Sequence, residues 1–361
     1  LSIFCGLRHN ASSRNLNQPE EGKMYLRNAW YVAAVDADVT REPKQIMILG
    51  EKIVFYDACP HRKLPLSKGR IKGDTLECGY HGLTFDCSGN CVRVPGQDRI
   101  PPAANIQSYP VEPRYGLVWI WMGDPTLADT DKIFKVEHYD DPAWGINRGD
   151  ALPFACNYLY ITDNLLDPSH VAWVHQSSFG NSACEDEPLT VEGTQEGVIV
   201  SRWMYNVEVA PFYKKLVPFA GNCDRKQHYE VRYPSLAYIK AVFTPAGTGG
   251  DESKLQPGQY FQMDSYNLMT PVDETTTRYF WFQIRNVLPR DAEISKYMSE
   301  SVTFAFNEDR EILIEVQKGL AEKRTRNIDL AIDAGPLLFR RRLQKKIEAE
   351  KAAAEPSSVS A

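Results

Sequence analysis

The chain has 361 residues, 43% hydrophobic and 24% charged, with a formal net charge of −6. These values suit a globular protein of about two domains and speak against a nucleic-acid footprint, which needs a basic surface. No run of 18 apolar residues reads as membrane-spanning, and eight cysteines spread over this length do not form a secreted disulfide framework. A cytoplasmic protein is the expectation.

Residues 1–23 are polar and aperiodic and read as an extension outside the fold; LSIFCGL is too short for a signal peptide. From Met24 to about Gly123, short β segments alternate with turns: WYVAAV, QIMIL, KIVFY, GLTFD and YGLVWIWMG, with SGN and PGQ as turn signals. Residues 124–150, rich in Asp and Pro, read as a connection, with domains expected over 24–134 and 135–345. In the second, YLYITDNLLDPSHVAWVH (158–175) has helical character that Pro168 interrupts. HYEVRYPSLAYIKAVF, YFQMDSYNLMT and RYFWFQIRNV are aromatic-rich strand candidates, and 301–324 is an amphipathic helix. LLFRRRLQKKIEAEKAAA reads as a basic, solvated helix, and a disordered tail is expected over 346–361. The predicted class is α+β, a small all-β domain followed by an antiparallel sheet with helices.

Two constellations carry chemistry. In CPHRKLPLSKGRIKGDTLECGYHG, Cys59 and His61 are one residue apart, and Cys78 and His81 two apart. Two thiols and two imidazoles can bind zinc, but zinc fingers usually take both cysteines from one loop and both histidines from another. Here each loop gives one of each, and a [2Fe–2S] cluster can be held that way, with the two cysteines on one iron and the two histidines on the other. Cys87 and Cys91 lie beyond the second loop and read as structural.

The second constellation is His170 and His175, five apart in NLLDPSHVAWVH, with Asp167 three before His170. On an ideal helix the two histidines would point about 140° apart, so the Pro168 distortion must bring them together. Asp309 falls within the apolar stripe Val302, Phe306, Ile312, Leu313, Val316 and Leu320, where a carboxylate needs a partner. Glu308, rotated about 100° from it, reads as solvated. Two histidines and a carboxylate form a facial triad for non-heme Fe(II); zinc hydrolases use similar sets, and the upstream iron–sulfur motif favours iron.

The first motif resembles the Rieske iron–sulfur signature. Together with MYLRNAWYVAA, GEKIVFY, VPGQ, DNLLDPSHVAWVH and AFNEDREILIE, the chain from Met24 to about 345 resembles the terminal oxygenase component of Rieske non-heme iron oxygenases. It is most similar to the vanillate O-demethylase and toluenesulfonate methyl-monooxygenase branch. The resemblance implies a Rieske domain followed by a helix-grip catalytic domain. Cys59, His61, Cys78 and His81 would ligate the cluster, and His170, His175 and Asp309 the mononuclear iron. Asp167 would bridge His170 to a cluster histidine of the neighbouring subunit in a homotrimer, with Asn164 close to the iron.

Leu64 and Tyr80 stand where respiratory Rieske proteins carry a further disulfide. The direct run of Tyr56 into Asp57 departs from the family, which has a turn and another strand there.

The same resemblance implies a monooxygenase using O2 and electrons from NAD(P)H through a separate ferredoxin or flavin/iron–sulfur reductase, since no G-x-G-x-x-G is present. The expected reaction is O-demethylation or methyl hydroxylation of an anionic aromatic substrate. Arg225, Lys226, Arg232 and Lys240 are candidate anion contacts, and Gln227 and Asn267 candidate polar groups of the pocket. The competing readings are a ring-hydroxylating dioxygenase and an electron-transfer Rieske protein without mononuclear iron.

Overall fold

The computed structural model describes residues 6–9, 24–53, 58–322 and 328–354. The Tyr56–Asp57 junction, the end of KIVFY, most of the N-terminal extension and the last seven residues lie outside them. The chain forms two compact units. The first runs to Phe134 and also takes Thr270–Glu274 and the chain from Lys346 on; the second comprises Lys135–Met269 and Thr275–Lys345.

The first unit is built of short strands. β1 (Gly6–His9) pairs with β9 (Ile106–Tyr109), so part of the extension belongs to a ladder, contrary to the sequence expectation. β2 (Trp30–Val35) joins β10 (Val111–Arg114) and β11 (Leu117–Trp121) in a three-stranded sheet, and β3 (Ile46–Ile48) pairs with β4 (Glu51–Ile53). β5 (Arg70–Lys72), β6 (Thr75–Glu77), β7 (Thr84–Phe85) and β8 (Cys91–Arg93) form an antiparallel meander. Under it lies a small core of Leu66, Leu76, Leu83 and Phe85, closed by Cys59 and Cys78.

Residues 346–354 of the expected tail, which the structure describes, belong to this unit. The Glu350 carboxylate accepts from the backbone amides of Arg27, at 2.7 Å, and Asn28, at 2.5 Å.

The second unit opens with β12 (Gly145–Arg148), inside the stretch expected to be a connection, and β13 (Leu152–Phe154) just after it. Helix α1 (Tyr158–Asn164) is capped by Asn157, whose side chain accepts from the Leu159 amide at 2.9 Å. Pro168 prevents a continuous helix, and the one-turn α2 (Val171–Val174) follows, then α3 (Ala183–Asp186). β14 (Thr190–Gly193), β15 (Gly197–Val207), β16 (Cys223–Arg232), β17 (Leu236–Pro245), β18 (Phe261–Pro271) and β19 (Thr277–Arg285) complete an eight-stranded antiparallel sheet. Its order is β12-β19-β18-β17-β16-β15-β14, with β13 also on β19. The stretch 228–243 is therefore two strands of a hairpin, turned at Tyr233–Ser235.

α4 (Ala292–Glu322) packs on one face of this sheet, Phe306 meeting Tyr279 and Trp281 edge-on. It begins nine residues earlier than the periodicity suggests. Its buried residues are Met298, Val302, Ala305, Asp309 and Leu313, whereas Ile312 and Val316 of the expected stripe are exposed. α5 (Ala334–Ala354) is not a solvated helix: Phe339, Leu343 and Ile347 are buried. Arg340 on α5 holds Asp163 on α1 through Nε, at 2.9 Å. Among the described residues no helix is long and apolar enough to cross a membrane.

Candidate metal centres

In the first unit the two cysteine–histidine loops fold alike. The Cys59 amide donates to the Leu64 carbonyl, and the Lys63 amide donates back to Cys59. The Cys78 amide donates to Leu83, and the Gly82 amide back to Cys78. The fifth position of each loop is left-handed, at φ 62° for Lys63 and 73° for Gly82. Glycine adopts that conformation without strain, and at Gly82 an added Cβ would also approach Pro95 to 3.1 Å.

This geometry sorts the four side chains into two pairs. Cys59 and Cys78 are buried in one core cluster, while the His61 and His81 rings are exposed with centroids 4.5 Å apart. Burial pushes the Cys59 thiol up to about 11, so a thiolate there needs a cation beside it. Among the described residues these four are not a set of ligand atoms converging on one ion, as tetrahedral zinc demands. A sulfur pair and a nitrogen pair suit a dinuclear cluster instead. Cys87 is exposed and Cys91 is buried, and both are free thiols.

In the second unit one group of His, Cys and acidic residues brings its ligand atoms within 4.8 Å of one another: His170, His175 and Asp309. The break at Pro168 puts His170 just before α2 and His175 just after it, with ring centroids 5.3 Å apart. Asp309, only 7% exposed, lies 3.2 Å from His175 Nε2 and 3.7 Å from His170 Nε2 through Oδ1, which also accepts from Asn164 Nδ2 at 3.2 Å. Burial opposes charge on His175, but Asp309 and Glu308 outweigh it and raise its proton affinity. A site that draws in a positive charge and offers two imidazoles and a carboxylate fits a divalent metal ion.

Asp167 meets His170 through its backbone: the carbonyl contacts Nδ1, while carboxylate Oδ1 accepts from the Ser169 amide at 2.9 Å and from its hydroxyl. Glu308, read from the sequence as solvated, is only partly exposed and reaches inward, Oε2 lying 2.9 Å from His175 Nδ1.

Two buried arginines, one of them unnoticed in the sequence, grip this loop from the sheet. Arg202 on β15 donates to the carbonyls of Pro168 (3.0 Å) and Glu187 (3.2 Å) and to Gln227 Oε1 (2.7 Å). Arg225 on β16 donates to the Phe179 carbonyl at 2.9 Å and packs on the rings of Tyr213 and Phe243.

The other candidate anion contacts lie elsewhere: Lys226 sits over Trp203, Arg232 pairs with Glu230 and Glu196, and Lys240 is in register with Asp264. Asn267 is fully engaged, accepting from the Tyr279 hydroxyl at 2.8 Å and donating to Ala237 and Ser265. Gln227 keeps Nε2 without a partner among the described residues, as do Asn147 Oδ1, Trp281 Nε1, Arg225 Nε and Arg285 Nη1. A cleft of 390 Å³ is lined by Ser178, Phe212, Tyr297 and Phe304; the Phe212 ring packs on Phe179, itself edge-on to His175.

Residues 29–110 match the Rieske [2Fe-2S] domain model, and residues 154–349 match the vanillate O-demethylase oxygenase C-terminal domain model. The chain is 35% identical to the toluene-4-sulfonate monooxygenase system iron-sulfur subunit TsaM1 of Comamonas testosteroni, over 92% of this chain and 100% of that one. It is 34% identical to the vanillate O-demethylase oxygenase subunit of Pseudomonas sp. (strain HR199 / DSM 7063), over 93% and 99%. Among solved structures it is similar to dicamba monooxygenase bound to 3,6-dichlorosalicylic acid, with a TM-score of 0.83 and 27% identity over 92% of this chain and 99% of that one. It is also similar to dicamba monooxygenase with non-heme iron and dicamba, with a TM-score of 0.77 and 26% identity over 91% and 99%.

Proposed function

The chain belongs to the Rieske non-heme iron oxygenases with a vanillate O-demethylase-type C-terminal domain, and from that premise we propose that it oxidises a methyl or methoxy carbon of an anionic aromatic substrate. It is the oxygenase component of a monooxygenase that works with a partner. The observation that carries the reading is the convergence of His170, His175 and Asp309 in a chain that also has a Rieske domain. An electron carrier alone would leave that buried triad without a purpose.

In this reading Cys59, His61, Cys78 and His81 hold the [2Fe–2S] cluster, and His170, His175 and Asp309 hold Fe(II). When bound, the two groups supply single electrons and O2 activation at a substrate C–H bond. The protein's own work is positioning. Asn164 and Asp309 hold each other, Arg202 and Arg225 fix the histidine loop, and the aromatic interior keeps water away from the reacting carbon. Gln227 Nε2 and the Arg225 guanidinium are the polar groups that support an anionic substrate, whereas the saturated Asn267 supports only the sheet.

A hydroxylated methoxy carbon is a hemiacetal, which divides into formaldehyde and a phenol. Asp167 links the cluster of one subunit to His170 of the next in a homotrimer. Exposed aromatic side chains near both sites, Tyr80 (63%) and Trp173 (65%), support such an interface. Electrons come from NAD(P)H through a separate ferredoxin or reductase, and the assembly is cytoplasmic.

The test is NAD(P)H-driven turnover with a Rieske-oxygenase reductase on methoxy- and methyl-substituted benzoates and benzenesulfonates. Formaldehyde or a benzylic alcohol supports the reading. A cis-diol would make the enzyme a ring dioxygenase instead.

A further inference from the structure

We propose that Glu308 is the positioning residue that fixes the tautomer and ring orientation of His175, so that Nε2 is the atom offered to the metal. The inference rests on the mononuclear iron site proposed above and adds to it a residue outside the ligand set.

Glu308 and Asp309 are consecutive on α4 and take opposite edges of one imidazole. Glu308 Oε2 lies 2.9 Å from Nδ1, and Asp309 Oδ1 lies 3.2 Å from Nε2. A neutral imidazole has one N–H and one lone pair. A carboxylate accepts but does not donate, so a Glu308 hydrogen bond requires the proton on Nδ1 and leaves the lone pair on Nε2. That lone pair then faces the same side as Asp309 and His170.

His170 is arranged the same way by a different group, its Nδ1 meeting the Asp167 carbonyl. Both histidines thereby present Nε2, one steered by a backbone carbonyl and the other by a carboxylate. A carboxylate on the remote nitrogen also makes the ligand more basic, and losing such a group typically weakens metal binding about 10–100-fold.

Glu308 is partly exposed, with a side chain at 24%, and its helix would tolerate alanine. A group with open solvent beside it yet turned onto a buried ring is held there by the interaction.

The experiment measures anaerobic Fe(II) affinity by calorimetry on the full chain with its cluster intact, after chelation of the mononuclear site. Glu308→Ala should bind Fe(II) about 10–100-fold more weakly. Glu308→Gln should recover most of that loss, because its amide oxygen still accepts from Nδ1–H. Glu311→Ala, an exposed acid on the same helix, should bind as the parent does. Cluster absorbance and metal-free melting should be unchanged in all three.

Parent-like binding by Glu308→Ala overturns the proposal. So does a Glu308→Gln variant as weak as Glu308→Ala, which would make charge rather than the hydrogen bond responsible. If the parent takes up no Fe(II), the iron site itself fails, and this inference with it.

Discussion

Arg202 Nη2 donates to the carbonyl of Pro168 across 3.0 Å, joining β15, next to the edge of the sheet, to the residue that breaks the helix before His170. Arg225, on the next strand, does the same for Phe179 on the far side of His175. The distance between the two histidines is thus set by β15 and β16 as well as by the loop. A site built on a sheet holds its geometry better than one carried by a free loop.

Arg202→Met should therefore damage both the fold and the site. It would leave the carbonyls of Pro168 and Glu187 and the Gln227 oxygen without their donor, at a cost of about 3 kcal/mol, or a fall in Tm of roughly 4–7 °C. Arg202→Lys should lie between, since an ammonium cannot fork to three acceptors. Calorimetric melting together with iron retention checks this; a Met variant that melts with the parent and keeps its iron would contradict it.

Asp167→Asn tests the proposed bridge. Its carboxylate contacts Ser169 through one oxygen, and asparagine can keep that contact. Both metal centres should stay loaded while turnover falls severely, because the link between the cluster and His170 is broken. Unchanged turnover would end the bridging role.

Neighbours on α4 should respond to very different degrees. Leu313 is 6% exposed and Ile312 is 43% exposed. Leu313→Ala should destabilise by about 2–5 kcal/mol, and Ile312→Ala by less than about 0.5 kcal/mol. Similar losses at both positions would mean that α4 sits on the sheet in another rotation.

This pair also shows where sequence reading stops. The cysteine and histidine spacings are legible because ligands in tight loops leave short, fixed intervals. Asp309 is legible as a carboxylate in an apolar stripe. The stripe itself is only half right, because periodicity gives a helix its sidedness but not which edge a curved sheet covers.

Glu308 escaped because a rotation of about 100° puts it off the stripe, while its flexible side chain still reaches the ring. Arg202 escaped because it contacts distant backbone carbonyls, which no local pattern records. The α5 helix looked solvated because its six basic residues outnumber Phe339, Leu343 and Ile347, although those three share a single face.

Asp264 predicts a pH effect away from the metals. Burial pushes its carboxyl up to about 6, against the pull of Gln262 and Lys240. Its value when folded exceeds its unfolded value of about 3.9, so the folded state holds the proton more tightly. Stability from this group is complete below about pH 4 and is lost as pH rises through about 6, by roughly 3 kcal/mol. Asp264→Asn cannot ionise, so its stability relative to the parent should rise between pH 4.5 and 7.5. Parallel melting curves across that range would contradict the assignment.

The central claim is that one chain carries two iron centres, and iron and acid-labile sulfide per chain test it most directly. Protein purified anaerobically should hold about three irons and two sulfides, and His170→Ala about two irons with the sulfide unchanged. Added Fe(II) should restore any mononuclear iron lost from the parent during purification. About two irons in both proteins, with none regained on adding Fe(II), would leave a Rieske electron carrier and contradict the oxygenase account.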